Sequence, residues 1–434
     1  MTALAELDRM ILLSRDHIAP TLSDEEICQQ FQSFKVLCVS DLHSLSSHSG
    51  QTVLFTLVAL LSRMGMQVGL NLPDTAVLLP QPPFLGSSLC EALLASSRTL
   101  VTEATVRSDS DLKADVIFVV GDFPGKPHDA PCWYLTGSDW LGSVAMRGIA
   151  KPEPWTARLP VGAMVSAALA AGEAFKFVMR SLPLRNPSDA VFFEPSFSSS
   201  WNFDRITVPL GERIHLGFVD FVSAGAISQA ALFALSRFPG IEMSGRIFDD
   251  DITEASNLNR NMLTVASDLG EPKVQIASKH CSAGVHLEPV VGRCPGHTSD
   301  TRLAGRVAVG VDDIPSRWRV QEKAPNWIAV GGTSHYNVSS SVHTPGSPCS
   351  GCLHPVDDDG GGGRIPTVSF VSFWAGLAMT VRLLRDALGQ PYPPERQHLW
   401  LTPLRMDLSR AGMWIPIAPR RDCPVHCLAS VSMI

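Results

Sequence analysis

A chain of 434 residues is too long for one ordinary hydrophobic core and implies two or three domains. Apolar residues at 45% and charged residues at 18% allow large cores and exclude wholesale disorder. A formal net charge of -7 without any basic block excludes a general binder of nucleic acid or of a membrane surface, because nothing concentrates positive charge against phosphates; small or peptidic partners are expected instead.

No apolar run reaches the roughly 18 residues of a membrane span, and the closest, VGAMVSAALAAGEAFKF, is interrupted by Glu173 and Lys176. The opening MTALAELDRM carries acids where a signal peptide would carry lysines, so a cytoplasmic location is expected. Ten cysteines in a reducing compartment do not make a disulfide framework, and any ordered cysteine spacing points to metal or catalysis.

In chain order, the first thirty or so residues read as helical, with a capping box opened by Ser23 and closed by Glu26. FKVLCVS is a short buried strand ending at Ser40, GQTVLFTLVALLSRMG an apolar helix ending at Gly65, and QVGLNLP a second strand, which together make a parallel strand-helix-strand unit. A further strand falls at 114–122 and a long helix at 161–182, and the proline- and serine-rich PSDAVFFEPSFSSSW reads as a linker. The order then restarts. A strand at 213–222 leads into the turn and helix SAGAISQAALFALSRFPG, a strand at 245–251 ends in acids, a strand at 306–313 ends in two aspartates, and a long helix spans 370–389. The expected architecture is α/β: two doubly wound halves, over 35–205 and 206–434, behind a helical segment at 1–34.

Open parallel sheets bind ligands at the carboxyl ends of their strands, which places SAGAIS, Asp249 and Asp312 on one crevice. A turn of small residues entering a helix lets backbone amides approach phosphates, and an acid ending the second strand can accept both ribose hydroxyls. The turn alone matches G-x-G-x-x-G weakly, as Ser223, Gly225 and Ser228, and by itself fits ordinary strand-helix packing as well.

The stretch FDDDITEASNLNRNML adds to it. From Asp249 it is eight residues to Asn257, three more to Arg260 and thirteen more to Lys273. These residues resemble the ThiF/MoeB and ubiquitin-activating (E1-like) adenylyltransferase superfamily. The resemblance implies ATP as substrate, with Asp249 on the ribose and Asn257, Arg260 and Lys273 on the phosphates. VDDIPSR is similar to the family's T-D-N-x-x-x-R, which implies magnesium on Asp312 and leaves Asp313 where the family has asparagine. The family's zinc knot would fall on Cys349, Cys352, Cys423 and Cys427, with the second pair spaced by three residues instead of two; free buried cysteines, or a ligand swap to His354 or His426, are the alternatives.

Family members built as heterodimers keep an inactive half that lends an arginine to the site, and the first half here looks similar, with no G-x-G-x-x-G. LLSRDHI resembles the family's R-Y-S-R-Q, which makes Arg15 either a contact to the γ-phosphate or an ordinary surface arginine. There is no cysteine between Cys352 and Cys423, where thioester-forming members carry their nucleophile, and the Gly360 to Gly363 run is left to clamp an extended peptide tail. The resemblance therefore implies adenylation of a peptide or ubiquitin-like protein carboxylate without an enzyme thioester, by a monomeric pseudo-dimer or a homodimer. Activation of a small molecule or of a tRNA base, and a zinc-stabilised binding scaffold that has lost ATP, are the other readings.

Overall fold

In a computed structural model, the structure describes residues 3–101, 104–108, 113–122, 130–149, 152–206, 213–294, 302–323, 325–357, 364–407 and 412–427. The Gly360 to Gly363 run lies outside them. The first sheet has seven strands: β1 (Lys35–Ser40), β2 (Gln67–Asn71), β3 (Thr105–Ser108), β4 (Val116–Val120), β5 (Cys132–Gly137), β6 (Leu141–Met146) and β7 (Ser198–Asn202). The second has eight: β8 (Ile214–Val222), β9 (Ile241–Asp249), β10 (Val285–Val291), β11 (Arg306–Val309), β12 (Trp327–Ser334), β13 (Asn337–His343), β14 (His398–Leu401) and β15 (Gly412–Ile415).

The two sheets are wound alike. The first runs β3-β2-β1-β4-β5-β6-β7 and the second β10-β9-β8-β11-β12-β13-β14-β15, so that β15 is an added edge. In each, the first five strands are parallel: Val36 lies opposite Val68 and Val116 in one, Val219 opposite Gly245 and Arg306 in the other. The sixth and seventh strands then turn antiparallel in both. Both halves are Rossmann-like, paired as a pseudo-dimer.

The strands β1, β4 and β11 are nearly continuous apolar runs because both of their faces are covered. In the first half, helices His48–Arg63 and Val161–Ser181 pack together; in the second, Ala226–Leu235 and Ser369–Ala387 do, and the two pairs meet in one hydrophobic core. Gly376 lets Ser369–Ala387 pack close on Ala226–Leu235, since a Cβ there would come within 2.5 Å of the Ala230 methyl. Helix Val161–Ser181 is long and apolar enough to cross a membrane, against the expectation from its two charges, but it is a core helix with 94% of its apolar window buried. Glu173 and Lys176 pair inside that core at 2.7 Å, and both bond Ser196.

Three expectations change, one being that the strand read at 306–313 stops at Val309 and leaves Asp312 and Asp313 in the turn beyond it. The stretch read as a linker forms helix Pro187–Phe192 and strand β7, because its serines alternate on the edge of the first sheet. Strand β9 begins at Ile241, after a turn at Gly240 (φ 68°), and stops at Asp249, so Asp250 and Asp251 belong to the following loop.

Candidate active site

The carboxyl ends of β8, β9 and β11 open onto a cavity of about 570 Å³. Its lining includes Ser223, Gly225, Asp249, Asn257, Arg260, Lys273 and Asp312, so seven residues expected from scattered positions share one space.

The turn after β8 carries Ser223 at φ 85°, in the left-handed region that usually selects glycine. Its hydroxyl accepts the Gly225 amide at 3.0 Å, which supports the conformation locally. Gly225 is the N-cap of Ala226–Leu235 and no side chain caps that helix. Its first amides thus face the cavity without a competing acceptor, a ready place for an anion. Ser228 sits one turn further in and does not line the cavity. It is fully buried, and a Cβ at Gly310 would approach its Oγ to 2.5 Å, so it serves the packing of helix on β11.

Asp249 ends β9 and braces the turn: Oδ2 accepts the Ala224 amide at 2.7 Å and Oδ1 the Asp251 amide at 2.9 Å. Asn257 Oδ1 accepts the Glu254 amide at 2.9 Å, which leaves its NH₂ as the group to offer the cavity. Arg260 bonds the Ser256 carbonyl and, at 3.0 Å, Asn259 Oδ1. Burial lowers its guanidinium to about 10; the like charge of Arg9 adds to this, and Asp312, Asp8 and Glu254 oppose it. Lys273, at the start of helix Lys273–Lys279, reaches Asp251 at 2.5 Å. Asp313, standing where an asparagine was expected, is the N-cap of Ile314–Glu322 and accepts the Ser316 amide at 2.6 Å. Asparagine and aspartate cap equally well, which explains the replacement.

Arg15 is not at the cavity. Its guanidinium is held by Asp24 at 2.5 Å and by the Leu22 carbonyl, on the far side of its helix. Arg9 of the same helix lines the cavity instead and donates to the Ile365 carbonyl at 3.3 Å. Residues six apart lie about 120° apart around a helix and nearly two turns apart along it, so the two arginines leave the helix on different faces. Asn261 is a second residue that sequence reasoning missed. It is 1% exposed, lines the cavity, and its Nδ2 has no partner. Its signal was present in NLNRN, where three amides alternate within five residues.

Away from the cavity, the sulfurs of Cys349, Cys352, Cys423 and Cys427 all lie within 4.8 Å of one another. Three of the separations are 4.0 Å (349 to 352), 3.4 Å (349 to 423) and 3.6 Å (352 to 427). Four thiolates at zinc bonding distance stand about 3.8 Å apart, so the cluster fits one tetrahedral ion, and none of the four is in a disulfide. The extra residue of the second pair is absorbed by His426 at φ 50°, whose amide bonds the Cys423 carbonyl.

Residues 224–411 match the ThiF family, and residues 35–185 match the BilD N-terminal domain. The second half of the chain therefore carries a ThiF-family domain. That half also holds the cavity. The uncharacterised protein y4jF of Sinorhizobium fredii is 26% identical over 201 residues, covering 45% of this chain and 39% of that one. The SAMP-activating enzyme E1 of Haloferax volcanii is 27% identical over 144 residues, covering 31% of this chain and 52% of that one. The chain thus matches about half or less of the length of these relatives. Among solved structures, Escherichia coli MccB with MccA is similar at a TM-score of 0.39 and 14% identity, over 48% of this chain and 66% of that one.

Proposed function

We propose that this chain activates a carboxylate by adenylation: it binds ATP in the second-half cavity and transfers AMP to the free carboxylate of a peptide or ubiquitin-like protein. The observation that carries the reading is the convergence of Asp249, Asn257, Arg260, Lys273 and Asp312 with the uncapped start of helix Ala226–Leu235. Among its relatives, one is by name an E1 that activates SAMP.

In this reading Asp249 receives the ribose hydroxyls and the open amides after Gly225 receive phosphate oxygens. A substrate carboxylate oxygen attacks the α-phosphorus, the bond to the bridging β-oxygen breaks, and pyrophosphate leaves. Charge grows on the phosphoryl oxygens as it does so. Arg260 and Lys273 stabilise that charge, with Asn257 adding a neutral hydrogen bond and Arg9 an arginine from the N-terminal helical segment. Lys273 must leave Asp251 to do this, and a polyphosphate is the stronger partner. Asp312 would hold magnesium, which would supply positive charge against the leaving pyrophosphate. The four cysteines would hold a closed structural zinc. The product acyl-adenylate then meets an external nucleophile, since no cysteine lies between Cys352 and Cys423 to form a thioester.

ATP-pyrophosphate exchange, run with ubiquitin-like proteins and short peptides bearing a free or an amidated C-terminus, tests this. Exchange should appear only with a free carboxylate. ATP binding without exchange for any of them would contradict the reading.

A further inference from the structure

We propose that Arg63, which belongs to the first half, is a positioning residue for the phosphate-facing loop of the second. The inference rests on the cavity being the ATP site and adds a residue that never touches the ligand.

The loop from Asn257 to Thr264 has little regular structure beyond a single helical turn at Ala255–Asn257. It nevertheless carries Asn257, Arg260 and Asn261 into the cavity. An irregular buried loop has carbonyls that no ladder satisfies, and each needs a partner. Arg63, at the last turn of helix His48–Arg63, is 0% exposed and supplies three of them: Nη1 donates to the Leu258 carbonyl at 2.6 Å, and Nη2 to those of Met262 at 3.0 Å and Thr264 at 2.8 Å. One rigid, planar fork therefore fixes both ends of the turn that aims Arg260 and Asn261.

From the other side, Gln229 of helix Ala226–Leu235 holds the same segment. Its Oε1 accepts the Leu263 amide at 3.2 Å and the Thr264 hydroxyl at 2.9 Å, while its Nε2 donates to the Ala224 carbonyl at 3.0 Å. The phosphate turn and the 257–264 loop are thus locked together, with the first half reaching beneath the loop to close the lock. A buried charged donor bonded only to backbone of the opposite half is a costly arrangement, and position control of the loop is what it secures.

A control exists in the same interface. Arg237 is also buried and also crosses between halves, to the Gln81 carbonyl at 3.4 Å, but its guanidinium bonds go to Gln81 and Phe233 and not to the 257–264 loop. The experiment compares Arg63→Met, Arg63→Lys and Arg237→Met in the full chain, by amide hydrogen exchange and by ATP titration. Arg63→Met should raise exchange at 258–264 and weaken ATP by about tenfold or more, as displacement of binding groups does. Arg63→Lys, keeping the charge but not the fork, should fall between it and the wild type. Arg237→Met should lose comparable stability and keep the ATP affinity. Should Arg63→Met not fold, the lysine variant decides by the same two readouts. Wild-type exchange at 258–264 in either Arg63 variant, or raised exchange with unchanged ATP affinity, would overturn the proposal while leaving the adenylation reading in place. A wild-type chain that binds no ATP would overturn both.

Discussion

The two halves share the order of seven strands and part company at the carboxyl end of the first strand. After β1, Asp41 spends its carboxylate on its own backbone: Oδ1 accepts the Ser44 amide at 2.8 Å, and Oδ2 accepts the Ser44 hydroxyl at 2.7 Å and the Asp122 amide at 2.9 Å. The helical turn Leu42–Leu45 then packs so close to the end of β4 that a Cβ on Gly121 would meet Asp41 and Ser44 at 2.0 Å. The following helix, His48–Arg63, is capped by Ser47, and Trp155 closes the remainder by donating its amide to Ser44 Oγ at 3.2 Å. After β8 the opposite choice is made. No helical turn intervenes, Gly225 caps nothing with a side chain, and the amides stay open. A capping side chain and a bound phosphate compete for the same N-H groups, so filling one crevice and leaving the other free suffices to make one half a site and the other a scaffold.

The comparison breaks most sharply at the end of the fourth strand of each sheet. Asp312→Ala should lower exchange activity by about a hundredfold or more with the fold intact, as removal of one charge-stabilising group does. Asp122→Ala, the acid just beyond β4 in the first half, should leave it unchanged. Equal losses would mean that both crevices work.

The four-cysteine cluster belongs, among the described residues, to the second half alone. Metal analysis should find about one zinc per chain. Cys349→Ser should lower the unfolding midpoint by on the order of 10 °C, while residual ATP binding persists in the folded fraction. Full thermal stability with no zinc would contradict the closed site.

The second sheet also carries a pH liability. Burial, followed by the bond to the Pro348 carbonyl that opposes it and the charge of Arg382 that adds to it, leaves His343 lowered to about 4. Burial and Arg382 lower His398 likewise, to about 4. A depressed histidine resists protonation when folded, so the unfolded chain takes up the proton first as pH falls. Stability should be flat above the ordinary histidine value near 6.5 and decline from there down to about pH 4, by up to about 3 kcal/mol per histidine. Chemical denaturation of the wild type and of His343→Gln checks the sign; the variant should show the shallower decline.

The smallest effect concerns Asp41. Asp41→Ala should cost about 1 to 2 kcal/mol of stability through the lost cap. ATP affinity should not move with it, since this acid serves its own turn.

The duplicated order was legible because β1, β4, β8 and β11 are apolar runs followed by apolar helices, a pattern that survives without any sequence identity between halves. The later strands β5, β6, β12 and β13 were not legible, because glycines fall within β5, β6 and β12 and serines fill β13, so none reads as an apolar run followed by a helix. The site was legible where spacing carries chemistry, from Asp249 to Lys273. It was not where geometry decides: Arg9 and Arg15 read alike until the helix faces separate them, and Arg63 reads as the polar end of an apolar helix until the other half arrives above it. Ser223 looked like a defect in a glycine motif, yet it takes the glycine conformation, with its hydroxyl bonded to the turn.

The account's central claim is that one crevice of the two takes ATP. Titration of ATP into the wild type, Asp249→Ala and Asp41→Ala, with stoichiometry as the readout, tests it most directly. One ATP per chain is predicted, with affinity reduced at least about tenfold by Asp249→Ala and unchanged by Asp41→Ala. Two ATP per chain, or wild-type affinity in Asp249→Ala, would contradict it.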